Sequence, residues 1–419
     1  MKEYVVGGYI RDMLLGRRPH DKDFVVVGAT IEEMCQNGYK QVGKDFPVFL
    51  HPQTKEEYAL ARTERRIGRK HTDFVFDFSA DITLYEDCLR RDFTCNALAM
   101  DVKSGEIIDY FGGKKDILNR TIRIIDEKNF KQDPLRILRA FRFAAVLDFT
   151  IEPDSKNVLK QMIADGMLRD LTPERVWMET LKALQPQANS AKFFEGLAEI
   201  GGLQPWFAEL EILRTIPELK KYHASENTFK HVMCALTRAR SENALVKWAV
   251  LHHDDGKGIT TPEILPHHYG HEVRGLDLIA SACHRLKVPN EYKRFALLFC
   301  RQHMRIGKFD DMKTAKKYDF VKEISGNFRD RAQTEAFLHC FAADYYGEKV
   351  KNAYCDDDFF RLICQQVLRV YEIMSGVTLE DLPPESQKIL HKYSGAQFGK
   401  LYREHMIMYL DEKLKEPNG

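Results

Sequence analysis

The stretch YVVGGYIRDMLLGRRPHDKDFVVV, residues 4–27, decides how the N-terminal part of the chain folds. An apolar β-branched run leads into Gly7 and Gly8, a helix-like segment follows, and the stretch ends in the apolar run FVVV. This order predicts a strand, a glycine turn, a helix and a second, buried strand. Without Cβ atoms, Gly7 and Gly8 let the backbone approach a phosphate closely, and the N–H groups of the following helix point to the same place. Arg11 adds a forked cation one helical turn further on, whereas the structural alternative is a plain tight turn.

Two carboxylates, Asp21 and Asp23, stand immediately before the second strand. Residues two apart on a strand share a face, so these carboxylates would lie roughly 6.6 Å apart along it, at about 3.3 Å per residue. That arrangement suits joint ligation of Mg²⁺. Asp356 and Asp358 have the same spacing but no phosphate-binding turn before them, and we expect only a solvated surface there. A phosphate cradle beside metal-binding carboxylates is what nucleotidyl transfer requires.

The bulk composition limits the class of protein. The chain has 419 residues, enough for two to four domains, and its 63 basic and 62 acidic residues give no net charge that points to a polyanionic partner. Nine cysteines show no C-x-x-C spacing, which fits free thiols in a reducing compartment. No signal sequence and no apolar run near 18 residues is present, so we expect a cytoplasmic protein without membrane contact.

The chain changes character near residue 125. Before this point, short β-branched runs at 4–6, 24–27, 56–62, 95–102 and 106–111 alternate with glycine and proline and predict strands with short helices. After it, apolar residues recur every three or four positions, and Asp133-Pro134 and Thr172-Pro173 mark helix starts. The predicted fold class is therefore α+β and multidomain, with a small mixed α/β head followed by all-α segments.

Several further motifs resemble one family in the same order along the chain. They are RRDFTCNALA (90–99), DYFGGKKDI (109–117), DPLRILRAFRFA (133–144) and LTPERVWMET (171–180). With the opening stretch, they resemble the nucleotidyltransferase superfamily that includes DNA polymerase β, and more narrowly class II CCA-adding enzymes (tRNA nucleotidyltransferases) and their bacterial poly(A) polymerase relatives. The resemblance implies a nucleotidyltransferase head at 1–125, a helical neck and body with a nucleotide-recognition helix at 126–224, a further domain at 225–330 and a helical tail at 331–419.

The resemblance also implies an activity and its residues: template-independent addition of CCA to the 3′ end of tRNA from CTP and ATP. The metal ligands would be Asp21 and Asp23, holding Mg²⁺. The implied nucleotide contacts are Gly8, Arg11, Arg91, Asp133, Arg136, Arg139 and Arg142. Chemically, an Asp accepts from the amino group of cytosine or adenine and an Arg donates to ring acceptors, so uracil and guanine would leave the carboxylate unpaired. Many relatives carry an acidic residue where this chain has Gln132.

The segment ARTERRIGRKHTDF, residues 61–74, is rich in basic side chains and matches the flexible loop that such enzymes use when switching from C to A addition. Its basic residues are Arg62, Arg65, Arg66, Arg69 and Lys70. Contact with phosphates and a solvated basic loop are compatible interpretations. A third carboxylate of the metal site is left open between Glu56, Glu57 and others.

A second catalytic site is indicated by two segments, HVMCAL (231–236) and LHHDDGKG (251–258). His231, with the adjacent pair His253 and Asp254, resembles an HD-type metal phosphohydrolase, and His271 and His303 are further candidate ligands. The resemblance implies a divalent transition metal such as Ni²⁺ or Mn²⁺, and 2′,3′-cyclic phosphodiesterase, 2′-nucleotidase and phosphatase activities that repair tRNA ends. Asp255 occupies a position that is commonly apolar and predicts an altered metal preference.

Three alternatives remain open at this point. The first is a poly(A) polymerase, or a partial enzyme that adds only CC or only A. The second is an HD phosphohydrolase whose head only binds RNA, and the third is a structural RNA-binding protein. The sequence leaves the oligomeric state and the tRNA path open.

Overall fold

The computed structural model describes residues 1–19, 22–42, 47–66, 74–218, 225–347 and 357–416. It forms two compact units, one of Met1–Ala183 with Lys192–Trp206 and one of Leu184–Ala191 with Phe207–Gly419. The α+β multidomain class is confirmed, and each unit is described by itself below. The predicted domain boundaries near residues 125, 224 and 330 stay predictions.

The strands of the described residues belong to the first unit. They are β1 (Lys2–Val6), β2 (Asp23–Val27), β3 (Lys40–Val42), β4 (Val48–Leu50), β5 (Glu57–Leu60), β6 (Thr63–Arg66), β7 (Phe74–Asp77), β8 (Ala99–Asp101), β9 (Ile107–Ile108), β10 (Thr121–Ile122) and β11 (Thr150–Ile151). Among the described residues, seven of them form one sheet in the order β3-β4-β5-β2-β1-β8-β9. The pair β2 and β5 is parallel, and the other pairs of this sheet are antiparallel.

The centre of the sheet is formed by the opening stretch of the chain. β1 and β2 pair antiparallel with Val5 opposite Phe24, and their consecutive apolar residues are buried. Such runs suit strands covered on both faces. The predicted strand at 95–102 is shorter than expected: Thr94–Asn96 is a 3-10 turn and β8 begins at Ala99. The reason is that the Asn96 side chain is engaged in a buried polar network, described below.

The helices extend through both units. They are α1 (Gly8–Leu14), α2 (Ile31–Gln36), α3 (Leu84–Leu89), α4 (Gly113–Leu118), α5 (Glu127–Phe130), α6 (Leu135–Leu147), α7 (Pro153–Ala164), α8 (Pro173–Ala183), α9 (Ser190–Glu199), α10 (Ala208–Leu213), α11 (Thr228–Arg238), α12 (Ala244–His252), α13 (His271–Arg285), α14 (Asn290–Ile306), α15 (Thr314–Ile324), α16 (Arg331–Tyr345), α17 (Asp357–Met374), α18 (Pro384–Leu390) and α19 (Gly395–Lys415). The two helices predicted to start at Asp133-Pro134 and Thr172-Pro173 are confirmed as α6 and α8.

The second unit is built around α12, whose side chains are almost all buried. α12 packs against α14, α16 and α11, and α13 packs against α14 and a 3-10 turn at Asp255–Ile259. Phe299 and Phe337 meet edge to face in this core, and Trp248 is fully buried. This packing brings helices from distant parts of the sequence around the end of α12.

Candidate active sites

The glycine turn of the first unit lies beside two guanidinium groups. Gly7 has a φ of +77°, which favours glycine, and α1 begins at Gly8. A Cβ built on Gly7 would lie 3.3 Å from Nη1 of Arg91, and one built on Gly8 would lie 3.2 Å from Nη2 of Arg11. The predicted turn is therefore confirmed, and it carries the positive charge that an anion would need.

Both arginines are held in place by partners within the chain. Arg11 is buried and donates to Oδ1 of Asn96 at 2.6 Å, and Arg91 donates to Asp87 at 2.9 Å. Burial raises the pKa of Asp87, but Arg90 and Arg91 outweigh it and lower that pKa to about 2. Asp87 therefore stays charged and fixes the direction of Arg91.

The predicted metal carboxylates are only partly visible. Asp21 lies outside the described residues, and Asp23 is the exposed first residue of β2. Phe24 pairs with Tyr58 across β2 and β5, and their rings stack at 4.3 Å. Because strand residues alternate in direction, Glu57, the residue before Tyr58, shares the face of Asp23. Glu56 precedes the strand, so Glu57 is the better placed of the two glutamates that the sequence left open.

The recognition helix α6 carries its three arginines in different directions. Each step of three residues rotates a side chain by about 300° around the helix, so consecutive arginines diverge. Arg136 donates to the carbonyls of Asn129 and Arg90, Arg139 binds Asp92, and Arg142 binds Glu179. The four predicted base-reading residues are thus brought near one another, but they do not form a single row.

Asp133 precedes α6, and its carboxylate contacts Arg175 of α8. Nη2 of Arg175 lies 3.0 Å from Oδ2 and 3.2 Å from Oδ1 of Asp133. Sequence reasoning quoted the motif that contains Arg175 but assigned the residue no role. The charge pattern could have found it, because a carboxylate that must be held in one orientation is well served by a nearby guanidinium group.

A buried polar network joins the glycine turn to the recognition helix. Arg11 donates to Asn96, the Asn96 amide donates to Asp92 at 3.1 Å, and Arg139 donates to the other Asp92 oxygen at 2.8 and 2.6 Å. Burial raises the pKa of Asp92, and Arg139, the Asn96 amide and Arg136 lower it to about 2. Asp92 and Asn96 were missed as site residues, although both are polar residues of the motif RRDFTCNALA at 90–99.

The ring of Phe143 supports the same network. The Arg142 guanidinium lies 3.8 Å from the ring centroid, and those of Arg11 and Arg139 lie 5.3 Å from it. Cations over an aromatic face are attracted by its quadrupole.

The basic segment at 61–74 is not wholly a loop. It contains β6, which pairs antiparallel with β7 at the end of the segment, with Arg65 opposite Val75. Arg62 donates to Glu64 at 2.7 Å. Arg69 and Lys70 lie outside the described residues, so their role in binding phosphates stays a prediction.

In the second unit, the five predicted HD residues come together. Two buried groups each have all their ligand atoms within 4.8 Å of one another: His231, His253 and Asp254, and Asp254, His271 and His303. Sequence reasoning missed a sixth residue, Asp344 of α16, whose Oδ1 lies 3.2 Å from Nε2 of His231 and 3.5 Å from Nε2 of His253. Imidazole and carboxylate donors in this set fit a divalent transition metal.

Backbone contacts fix the orientation of the cluster histidines. Nδ1 of His253, His271 and His303 each donates to a carbonyl three residues earlier, at 2.7 Å. Since a carbonyl only accepts, Nδ1 carries a proton, and each Nε2 presents a lone pair to the cluster when that nitrogen is unprotonated. This is the tautomer that binds metals through Nε2.

Charge is concentrated around Asp254. Lys257 contacts Asp254 at 2.9 Å and Glu218 at 2.8 Å, and all three side chains are buried. Burial raises the pKa of Asp254, but His253 and Lys257 hold it well below its usual value. Burial and the nearby His253 lower the pKa of His303 to about 3.

Asp255 does not join this cluster through its carboxylate. Nδ1 of His252 donates to Oδ2 of Asp255 at 2.7 Å, and both side chains are buried. The altered metal preference predicted from Asp255 therefore has no direct contact to support it.

Gly256 allows the turn after Asp254 to pack against the start of α13. A Cβ at this position would lie 2.0 Å from the carbonyl oxygen of His271 and 2.6 Å from the backbone nitrogen of Gly275. Only a glycine fits this approach, and the approach holds Asp254 beside His271.

Comparisons with known proteins agree with the predicted head. A family model described as the poly A polymerase head domain matches residues 3–123, and one described as the probable RNA and SrmB-binding site of polymerase A matches residues 148–213. The fold is similar to that of the Bacillus stearothermophilus CCA-adding enzyme in complex with CTP, with a TM-score of 0.62 and 22% identity over 99% of this chain and 93% of that one. It is also similar to that of the Thermotoga maritima CCA-adding enzyme complexed with tRNA, with a TM-score of 0.63 and 19% identity over 100% and 88%. The first unit thus has the head of a nucleotidyltransferase.

Curated relatives narrow the class to a family. The multifunctional CCA protein of Pasteurella multocida (strain Pm70) is 47% identical over 318 residues, which cover 74% of this chain and 75% of that protein. The one from Hahella chejuensis (strain KCTC 2396) is 40% identical over 398 residues, 93% of each. The chain belongs to the family of multifunctional CCA proteins, and it is a CCA-adding nucleotidyltransferase. None of the helices in the described part of the chain has the length and apolar character needed to cross a membrane.

Proposed function

We propose that this chain adds C, C and A to the 3′ end of tRNA from CTP and ATP, and that its histidine–aspartate cluster hydrolyses phosphoesters at tRNA ends. The observation that supports the first activity best is the continuous network from Arg11 at the glycine turn, through Asn96 and Asp92, to Arg139 of the recognition helix. This network ties the place where a triphosphate would bind to the helix that would read its base. The free thiols of the described cysteines fit a cytoplasmic location.

In the head, Arg11 and Arg91 would contact the triphosphate at the Gly7–Gly8 turn. Asp23 and Glu57, with Asp21, are the carboxylates that would hold Mg²⁺, whose preferred ligands are oxygens. When bound, Mg²⁺ would activate the 3′-hydroxyl of the tRNA and neutralise the pyrophosphate leaving group. The protein needs no covalent intermediate, because the hydroxyl attacks the α-phosphate directly.

Base selection would depend on Asp133 and Arg136. Asp133 would accept from the exocyclic amino group of cytosine or adenine, and Arg136 would donate to a ring acceptor. Arg175 holds the Asp133 carboxylate in its orientation through two hydrogen-bond contacts. Uracil or guanine would place a keto oxygen against that carboxylate, which leaves both groups without a donor.

The second activity would use His231, His253, Asp254 and Asp344. These residues would hold a divalent transition metal such as Ni²⁺ or Mn²⁺, which when bound activates water toward a phosphate ester. We infer 2′,3′-cyclic phosphodiesterase, 2′-nucleotidase and phosphatase reactions at damaged tRNA ends. Lys257 keeps Asp254 ionised at neutral pH.

The length of the product tests the proposed nucleotidyl transfer. A tRNA that ends at the discriminator base, supplied with CTP and ATP, should gain three nucleotides and stop. Open-ended incorporation from ATP alone would indicate a poly(A) polymerase instead, and a stop after CC or addition of A alone would indicate a partial enzyme. Hydrolysis of a 2′,3′-cyclic phosphate by the same preparation, lost in Asp254→Ala, tests the second activity.

A further inference from the structure

A pocket in the second unit shares no lining residue with either candidate active site. It lies where α15, α17 and α19 pack together, and its volume is about 420 Å³. Pockets that hold small ligands range over roughly 300–1,000 Å³. The pocket is therefore large enough to receive one small ligand or one unit of a larger one.

Aromatic and thioether side chains form the interior of this pocket. Tyr318 and Phe328 are buried, and their ring centroids lie 5.2 Å apart. Met374 and Met406 are also buried, and Tyr402 of α19 is half-buried. Burial and the nearby Tyr402 raise the pKa of Tyr318 to about 12, so this ring is uncharged at neutral pH. An uncharged, aromatic-lined interior suits the flat face of a nucleobase.

Two cations lie at the mouth of the pocket. Lys322 of α15 has its Nζ 5.6 Å from the ring centroid of Tyr318, and Arg329 is exposed in the loop that follows α15. Within the ranges that the structure describes, neither side chain forms an ion pair. Both are therefore available to a ligand that carries negative charge.

The carboxylates near the pocket have other partners. Asp319 accepts from Nε of Arg403 at 2.8 Å. Asp381 accepts from the backbone N–H and from the hydroxyl of Thr378, each at 2.8 Å. Because these carboxylates are already engaged, the mouth keeps a positive charge that a phosphate can use.

The loop that carries Arg329 has a backbone conformation that residues other than glycine seldom adopt. Gly326, Asn327 and Phe328 have φ values of +56°, +64° and +62° in succession. The N–H of Phe328 donates to Oγ of Ser325 at 2.9 Å, and Ser325 is fully buried. This turn places Phe328 in the pocket wall and Asn327 among the exposed lining residues. Backbone strain of this kind is concentrated at binding sites.

We propose that this pocket binds one nucleotide, with its base among the aromatic side chains and its phosphate at Lys322 and Arg329. The inference goes beyond the two activities proposed above and depends on neither. A free mononucleotide and a single nucleotide unstacked from an RNA strand offer the same chemistry, because each presents a flat base and a phosphate. The Asn327 amide adds a donor and an acceptor for the edge of the base.

Photo-crosslinking tests the proposal and locates the ligand. The full-length chain is irradiated with 8-azidoadenosine 5′-monophosphate, or with a short single-stranded RNA that carries one 8-azidoadenosine, and the labelled peptides are identified by mass spectrometry. Peptides that contain Tyr318, Phe328 or Tyr402 should be labelled, and unmodified AMP or RNA should compete. Labelled peptides of the first unit report on the head and are counted separately.

Variants at the mouth and in the interior test the individual contacts. Lys322→Ala and Arg329→Ala should each lower labelling of the pocket peptides about tenfold, because each removes a charged donor to the phosphate. Tyr402→Leu should lower labelling and Tyr402→Phe should retain it, because the ring contacts the base. Lys316→Ala is the matched control, since Lys316 is exposed on α15 and lies outside the pocket. Circular dichroism checks that the variants are folded.

The outcomes either support the proposal or overturn it. Labelling that is lost in the two cation variants and kept in Lys316→Ala supports it, and the two probes then identify the source as a free nucleotide or as an RNA strand. Unlabelled pocket peptides, or full labelling in the double variant of Lys322→Ala and Arg329→Ala, would overturn it. Competition by inorganic phosphate as strong as that by AMP would overturn the contact with a base.

Discussion

The polar network of the first unit and the histidine cluster of the second unit use buried charge in opposite ways. In the first, Arg11, Arg91 and Arg139 each already contact an acid or amide of the same chain. In the second, carboxylate oxygens and imidazole lone pairs converge, and the cation that the structure places beside them is Lys257. The first arrangement is complete before a ligand binds, whereas the second groups donor atoms that suit an added divalent cation.

This difference predicts different responses to ligands. A nucleotide would bind a preorganised set of arginines, so its binding needs little rearrangement. A metal held by the cluster would bind the folded state and not the unfolded one, so metal binding should also stabilise the fold of the second unit.

Removing one carboxylate from each region should separate the two activities. Asp23→Ala should lower C and A addition by on the order of 10³-fold or more while cyclic phosphate hydrolysis persists, and Asp254→Ala should do the reverse. Both are measured as kcat/KM on tRNA substrates, with exposed Asp81→Ala as control. Loss of both activities in either variant would show that the two activities do not depend on separate sites.

Removing the cation beside Asp133 should weaken base selection. Arg175→Ala should reduce discrimination of CTP against UTP by about 10- to 100-fold, because the carboxylate loses the partner that orients it. The ratio of kcat/KM for the two nucleotides measures this, and Arg175→Lys should restore part of it. Exposed Arg169→Ala serves as control and should leave the ratio unchanged. An unaltered ratio in Arg175→Ala would show that Arg175 does not contribute to base selection.

Adding a Cβ at Gly256 should disrupt the histidine–aspartate cluster of the second unit and leave the first unit intact. Gly256→Ala should lower the free energy of unfolding by about 1–3 kcal/mol and abolish hydrolysis, because the new Cβ would overlap the His271 carbonyl. Gly307→Ala is the matched control, since no atom lies within 4 Å of a Cβ there. Thermal unfolding and hydrolysis are measured together, and full activity in Gly256→Ala would contradict the geometry.

The charge on Asp92 should make the free energy of unfolding fall as the pH is lowered into the acid range. Its folded pKa of about 2 lies below the ordinary value of 3.8, so its contribution of about 2 kcal/mol is present above pH 4 and is lost as pH falls toward 2. Urea unfolding across this range should show a shallower pH dependence in Asp92→Asn than in the wild type. Exposed Asp81→Asn should follow the wild type, and identical slopes in all three would argue against the network.

Local sequence patterns predicted much of the fold and many of the site residues. Most of the site residues that sequence reasoning missed are partners from distant parts of the chain. The Gly7–Gly8 turn, α6 and the adjacent pair His253 and Asp254 are recognisable because each signal lies in a short stretch of sequence. Asp344 was missed because it belongs to the cluster only through the packing of α16 against α11 and α12. The partners of the arginines were missed for the same reason: no local spacing relates Asp92 to Arg139 or Asp133 to Arg175.

A crystal structure with CTP and Mg²⁺ bound would test the proposed nucleotide and metal site of the first unit directly. The triphosphate should lie against Gly7 and Gly8, in contact with Arg11 and Arg91, with the metal between it and the carboxylates of Asp21 and Asp23. The cytosine should lie at Asp133 and Arg136, with the Asp92–Arg139 pair unchanged. A nucleotide bound elsewhere, or Asp21 and Asp23 directed away from each other, would contradict it.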